Sequence, residues 1–176
     1  MATNADYLHS SYRESLLEHL FIGELLRTLW LNGVHRVEVL HSEVDGAGYD
    51  VVVECSSVMR HIQLKATGQG RKRANVNVML ALSEKRSACV VWLFFDQETL
   101  ELGPFYMFGG TPGQPMPDIS HFRVARHTKG DAKGFKAERP NLRLIPKGSF
   151  EKLDTMGEVV EWLFGDCATP SPRGVE

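Results

Sequence analysis

A chain of 176 residues with 43% hydrophobic and 24% charged side chains is long enough to bury one core. Its composition is too ordinary for a disordered, collagen-like or disulfide-built protein. No apolar run approaches the roughly 20 residues needed to cross a bilayer, so no membrane association is expected. The opening MATNADYLHSSYRES lacks the basic-then-apolar order of a secretory signal, and the three cysteines (Cys55, Cys89, Cys167) are far apart with no CxxC pair; both features point to a cytoplasmic protein with reduced thiols and no zinc site.

The net charge of −2 conceals a strong asymmetry. Residues 1–54 carry nine acids against Arg13, Arg27 and Arg36. Residues 60–73 hold Arg60, Lys65, Arg71, Lys72 and Arg73 with no acid, and residues 120–147 hold eight bases against Asp131 and Glu138. Segregation of this kind builds either solvated faces of opposite sign or a basic groove beside an acidic pocket, the arrangement a polyanion and a metal ion require.

Along the chain, Ser11-Tyr-Arg-Glu14 fits a capping box. Apolar residues from Leu16 to Trp30 then recur at helical spacing until Asn32-Gly33, so a helix is predicted over 11–32. Val34 to Leu40 alternates as a strand does. Asp45-Gly-Ala-Gly48 reads as a turn, and Tyr49–Cys55 and Arg60–Thr67 read as a β-hairpin closed near Ser56-Ser57. Asn75–Leu82 fits a strand or a short helix. Ala88–Phe95 and Leu100–Phe108 form a second hairpin around a turn at 96–99. Gly109–Pro117 is a loop, Phe122–Arg126 a short strand, and His127–Pro140 a basic surface loop that includes Lys129, Lys133 and Lys136. Thr155-Met-Gly-Glu158 opens a last helix through Phe164. The domain spans 1–166, with 167–176 a flexible tail.

The chemistry lies in GYDVVVECSSVMRHIQLKAT, residues 48–67. Side chains alternate along a strand, so Asp50, Val52 and Glu54 share a face of the first strand, and His61, Gln63 and Lys65 share a face of the second. A hairpin centred near Ser57 and Val58 sets Asp50 opposite Lys65 and Glu54 opposite His61. All these polar groups then converge on one side. Asp50 and the Gln63 amide oxygen are ligands suited to a hard divalent ion, and the Leu64 carbonyl adds a third. Lys65 can orient or deprotonate a water and offset charge on a phosphorane. Simpler readings stand beside these: Asp50 serving its turn, Gln63 and Lys65 on a solvated strand face, His61 at the surface, and Arg71-Lys72-Arg73 in a solvated loop.

An Asp at the start of one strand, followed on the next by acid-x-Lys, resembles the PD-(D/E)XK nuclease superfamily, which includes type II restriction enzymes and Holliday-junction resolvases. Here Asp50 and Gln63-Leu64-Lys65 carry the resemblance over residues 11–108, with Gln in place of the acid. The resemblance implies a restriction-endonuclease-like three-layer α/β/α fold with a central mixed sheet. It also implies a further acid from the preceding helix, for which Glu24 is the candidate, with exposure at the edge of the helix stripe as its simpler reading, and Mg²⁺ or Mn²⁺ held by Asp50, Gln63 and Glu24. The implied partner is nucleic acid, DNA foremost, gripped by Arg71, Lys72 and Arg73. A homodimer would match the cutting of two strands, by analogy alone. The loss of one formal charge at Gln63 calls for compensation by Glu24 or Glu54. Two functions follow: a metal-dependent nuclease hydrolysing phosphodiester bonds in DNA or RNA, or a catalytically inactive nuclease-like domain that binds nucleic acid or a protein partner.

Overall fold

The computed structural model describes residues 10–42, 46–127, 134 and 136–168. Helix α1 (Ser10–Leu31) leads into β1 (Val37–His41), β2 (Val51–Cys55), β3 (Val58–Gly68) and β4 (Asn75–Met79). A 3₁₀ turn at Leu80–Glu84 precedes β5 (Ala88–Phe95), β6 (Leu102–Gly109), β7 (Val124–Arg126), β8 (Glu138–Pro146), β9 (Glu151–Leu153) and α2 (Met156–Phe164).

Six strands form the central sheet in the order β1-β2-β3-β5-β6-β9. Its pairs are antiparallel except β3 with β5, so the sheet is mixed. The chain is therefore of the mixed α/β class expected. The layers differ from expectation on one side. Both helices pack on one face, but the other face is covered by a three-stranded sheet, β4-β8-β7, where helices were expected. A parallel pair needs a crossover. Here the path from β3 to β5 contains β4 and a 3₁₀ turn, so the segment read as strand or helix is strand followed by 3₁₀.

Helix α1 buries Leu17, Phe21, Ile22, Leu25 and Leu29, the stripe its periodicity predicts. Ser11 lies inside the helix, which already includes Ser10, and so is not its N-cap. The far end closes as read. Gly33 has φ +78°, its amide donates to the Trp30 carbonyl, and the Val34 amide reaches back to Leu29 at 2.9 Å, the paired bonds of a Schellman motif. Helix α2 opens on the predicted capping box: Thr155 Oγ1 accepts from the Glu158 amide, and the Glu158 carboxylate accepts from the Thr155 amide. The tail expected from 167 does not include Ala168, which is buried and whose carbonyl accepts from Asn32 Nδ2. Residues 169–176 lie outside the described residues.

Two apolar cores result. On the helix face Val51, Val53, Ile62, Cys89, Val91 and Leu93 meet α1 and α2. On the other face Val90, Trp92, Phe94 and Phe108 meet Val76, Val78 and Ile145 of the small sheet. Trp92 Nε1 donates to Thr67 Oγ1, and the Lys147 ammonium lies over the rings of Tyr106 and Phe94 at 4.2 and 4.4 Å. The strand aromatics are thus core and seal. The helix side carries one charged exception. Arg60 is fully buried, donates from Nη1 to the Gly110 carbonyl and stacks 5.0 Å from the Trp162 ring, while its Nε and Nη2 have no hydrogen-bond partner. Burial pushes the Cys89 thiol above its ordinary range, and the Arg60 charge beside it pulls the other way.

Part of the expected surface loop at 127–140 is strand, because β8 begins at Glu138. Residues 128–133 and 135, with Lys129 and Lys133, lie outside the described residues. Strand β8 tolerates Pro140 because its pairing with β7 shifts there: Ala125 pairs with Arg139 and Val124 with Arg143. Residues 140–142 are left out of that ladder, as in a bulge.

Candidate functional site

The hairpin β2-β3 places the predicted residues. Cys55 pairs with Val58 around the two-residue turn Ser56-Ser57, with Ser56 at φ +57°. The turn is tighter than expected, and the register moves by two. Val52 faces His61 and Glu54 faces Met59, in place of Glu54 facing His61. A shift of two preserves which face each side chain occupies. His61, Gln63, Lys65 and Thr67 therefore still share a face, now level with Ala88, Val90, Trp92 and Phe94 of β5.

Asp50 sits where β2 ends and β3 runs on. Beyond Ile62, β3 loses its β2 neighbour but continues along β5 to Gly68. The Asp50 amide donates to the Ile62 carbonyl at 2.9 Å, and its carboxylate Oδ2 accepts from the Leu64 amide at 2.6 Å. The carboxylate thus takes the rung that a further β2 residue would have supplied. Gly48, at φ +79°, lets the approach to Asp50 lie against β4: a Cβ there would sit 2.6 Å from Met79 Cβ.

Two clefts meet at this point. The first holds Asp50, Lys65, Arg73 and Asn77 together with Ser11, Glu14 and Glu18 of α1. The second, about 600 Å³, is lined by Gln63, Lys65, Asn77, Met79, His127 and residues 138–142. Lys65 and Asn77 line both. The structure therefore brings Asp50 and Lys65 into one cleft and sets Gln63 in the adjoining one. Gln63 is only 3% exposed and its Oε1 has no hydrogen-bond partner. An unsatisfied buried amide oxygen costs about 1–3 kcal/mol, so this position is not a solvated strand face.

Glu24 is not in either cleft. It is half exposed and pairs with Arg27 at 3.0 Å one helical turn away. The helix acids at the Asp50 cleft are Glu14 and Glu18, the latter 2.9 Å from His41 Nδ1. Glu54 lies across from Met59 and, on β1, from Glu38, and lines neither cleft. His61 is turned to a structural role: its Nδ1 lies 2.9 Å from the Arg86 carbonyl, and its ring meets Tyr49 edge-on. Among the described residues no three His, Cys, Asp or Glu side chains group closely enough to hold one metal ion.

The basic loop does adjoin the site. Arg71, Lys72 and Arg73 line a groove with Arg13 and Glu14, and Arg73 also lines the Asp50 cleft.

No protein-family model matches this chain, and no curated protein matches it. A solved structure described as that of a bacterial homing endonuclease, I-Ssp6803I, is similar at 19% identity over 64% of this chain and 77% of its own. Its TM-score is 0.29. No helix among the described residues is long and apolar enough to cross a membrane.

Sequence reasoning missed Glu14, Glu18, Asn77 and the segment 138–142. Glu14 carried a signal, but as part of a capping box. The segment ERPN had none, because it reads as a polar loop.

Proposed function

We propose that this chain is a metal-dependent phosphodiesterase acting on nucleic acid, DNA foremost, with its centre at Asp50 and Lys65. One observation carries the reading: the Asp50 carboxylate, fixed by the Leu64 amide where β2 gives out, lines one cleft with Lys65, Arg73 and two helix carboxylates. Mg²⁺ is typically bound through one or two carboxylates, water and substrate phosphate, and a site with one firm carboxylate and an adjoining amide fits that pattern. Asp50 would hold the ion, with Glu14 or Glu18 taking the part assigned to Glu24 and Gln63 lining the adjoining cleft. When bound, the ion would polarise the phosphate and lower the pKa of its water. Lys65 orients the attacking water and offsets charge developing on the phosphorus oxygens. Arg73 and its loop neighbours neutralise flanking phosphates.

A second reading has its own support. Position 63 holds a neutral, buried amide where an acid would add charge for a cation, and Glu18 is engaged by His41. Both favour a nuclease-like domain that binds nucleic acid without cutting it.

Incubating the protein with single-stranded, duplex and branched DNA and with RNA, in Mg²⁺, Mn²⁺ or chelator, separates the two. Cleavage is expected with metal only. It should be lost in Asp50→Ala and Lys65→Ala, reduced in Glu18→Gln, and kept in Glu24→Gln. Binding without cleavage under every condition would leave the second reading.

A further inference from the structure

We propose that the cleft behind Gln63 is a nucleobase pocket, which receives one unstacked base of the strand whose phosphate lies at Asp50 and Lys65. The placement on a strand rests on the reading above; the pocket itself does not.

The first observation is chemical. A carboxamide offers a donor and an acceptor side by side, the pattern that pairs with the edge of a base. Three of them, on Gln63, Asn77 and Asn141, line this cleft. Gln63 is nearly fully buried, and its carboxamide has one end without a partner. Buried polar groups in native proteins are matched, and an orphaned amide on a residue that lines a cleft points to a ligand that supplies the missing hydrogen bond.

The second observation is the distribution of charge. Lys65, His127 and Arg139 stand at the cleft, and the acid among its described residues, Glu138, is held by Arg126 at 3.1 Å. Neutral amides with cations beside them suit a nucleoside phosphate, since the heterocycle needs hydrogen bonds and the phosphate needs charge. Met79, Pro140 and Leu142 provide apolar wall for a ring face.

The third is how the pocket is built. Pro140 and Asn141 enter it because the β7-β8 ladder shifts at 139–143 and leaves them out of its pairing. Bulges of this kind re-aim side chains. At about 600 Å³ the cleft falls within the range of small-molecule sites. A base inside it cannot remain stacked in a duplex, so the pocket favours single-stranded or locally opened nucleic acid. Because Lys65 and Asn77 line both clefts, a phosphate at Lys65 and a base beside Asn77 can belong to neighbouring nucleotides.

The test is calorimetric, in chelator and without reference to cleavage. The probes are dAMP, dGMP, dCMP, TMP and base-free deoxyribose 5-phosphate, followed by an intact oligonucleotide and one with a single abasic position. At least one mononucleotide should bind about tenfold more tightly than deoxyribose 5-phosphate. Asn141→Ala and Asn77→Ala should each remove most of that gain and leave deoxyribose 5-phosphate unchanged. Asn141 is exposed, so its variant keeps the test clear of folding. A weaker abasic oligonucleotide assigns the pocket to a strand. Equal binding of both oligonucleotides, with mononucleotide selectivity intact, overturns the strand assignment in favour of a free nucleotide. No gain from any base overturns the pocket. Selectivity without cleavage under any metal would remove the nuclease reading and leave the pocket standing; Asp50-dependent cleavage without base selectivity would do the reverse.

Discussion

The two faces of the central sheet solve different problems. On the helix face β3 contributes Ile62, Leu64 and Ala66 to a core closed by α1 and α2, and Arg60 is the charge that this core admits. On the opposite face the same strand contributes His61, Gln63, Lys65 and Thr67, and the small sheet covers only part of them. The β5 residues Trp92 and Phe94 are sealed; on neighbouring β3, Gln63 and Lys65 open into two clefts. A helix layer buries a strand evenly. A short, bulged sheet does not, and polar residues on β3 become useful where the cover stands off.

The largest expected effect tests whether the helix face needs shape or charge at Arg60. Arg60→Ala leaves a cavity and an unmatched Gly110 carbonyl, and should cost about 3 kcal/mol or more in urea unfolding. Arg60→Met fills the volume without burying a charge and should stay close to wild type. If both variants lose the same stability, the guanidinium and not its bulk supports that face.

Next in size is the basic loop on the cleft side. Replacing Arg71, Lys72 and Arg73 by Ala should weaken binding to any nucleic acid and lower the salt slope by about one for each phosphate the loop no longer neutralises. Arg73→Ala should account for the largest single share, since Arg73 alone of the three reaches the Asp50 cleft. An unchanged slope in the triple variant would detach this loop from the substrate.

The smallest effect sharpens the comparison from the helix side. Bonds from Thr155 and from the Asp154 amide hold the Glu158 carboxyl below the usual glutamate range. A depressed folded pKa adds stability that is present above the unfolded value and lost as pH falls through the folded one. Glu158→Gln should therefore be less stable than wild type at neutral pH, and the two unfolding curves should converge as the pH drops below about 4.3, where an unfolded glutamate is half protonated. A gap that persists at low pH would point to packing. Thr155→Ala should cost about 1 kcal/mol at neutral pH through loss of the cap.

Much of this was legible from residue order. Alternation assigned both faces of β3 correctly, and the capping and stop residues located α2 and the end of α1. Register was not legible, because it depends on how tightly Ser56-Ser57 turns, and a positive φ at a serine has no sequence signature. Glu24 failed for a related reason. Helical spacing relates it to Leu17 and Leu20, but spacing does not say which end of α1 lies over the point where β2 stops. That point lies over the first turns, so Glu14 and Glu18 line the cleft and Glu24 turns to Arg27. Strand β8 was hidden because ERPN carries charges and a proline, and only the shifted ladder allows such a segment into a sheet.

The central claim is that Asp50 holds a divalent ion beside Gln63, and titrating Mn²⁺ calorimetrically into wild type, Asp50→Ala and Gln63→Glu tests it most directly. An amide gives a cation an oxygen without a charge, so wild type should bind weakly. Asp50→Ala should bind nothing measurable. Gln63→Glu should bind more tightly than wild type, because a buried carboxylate gains a partner it otherwise lacks. Equal, negligible heats from all three proteins, with no cleavage of any substrate, would contradict the account.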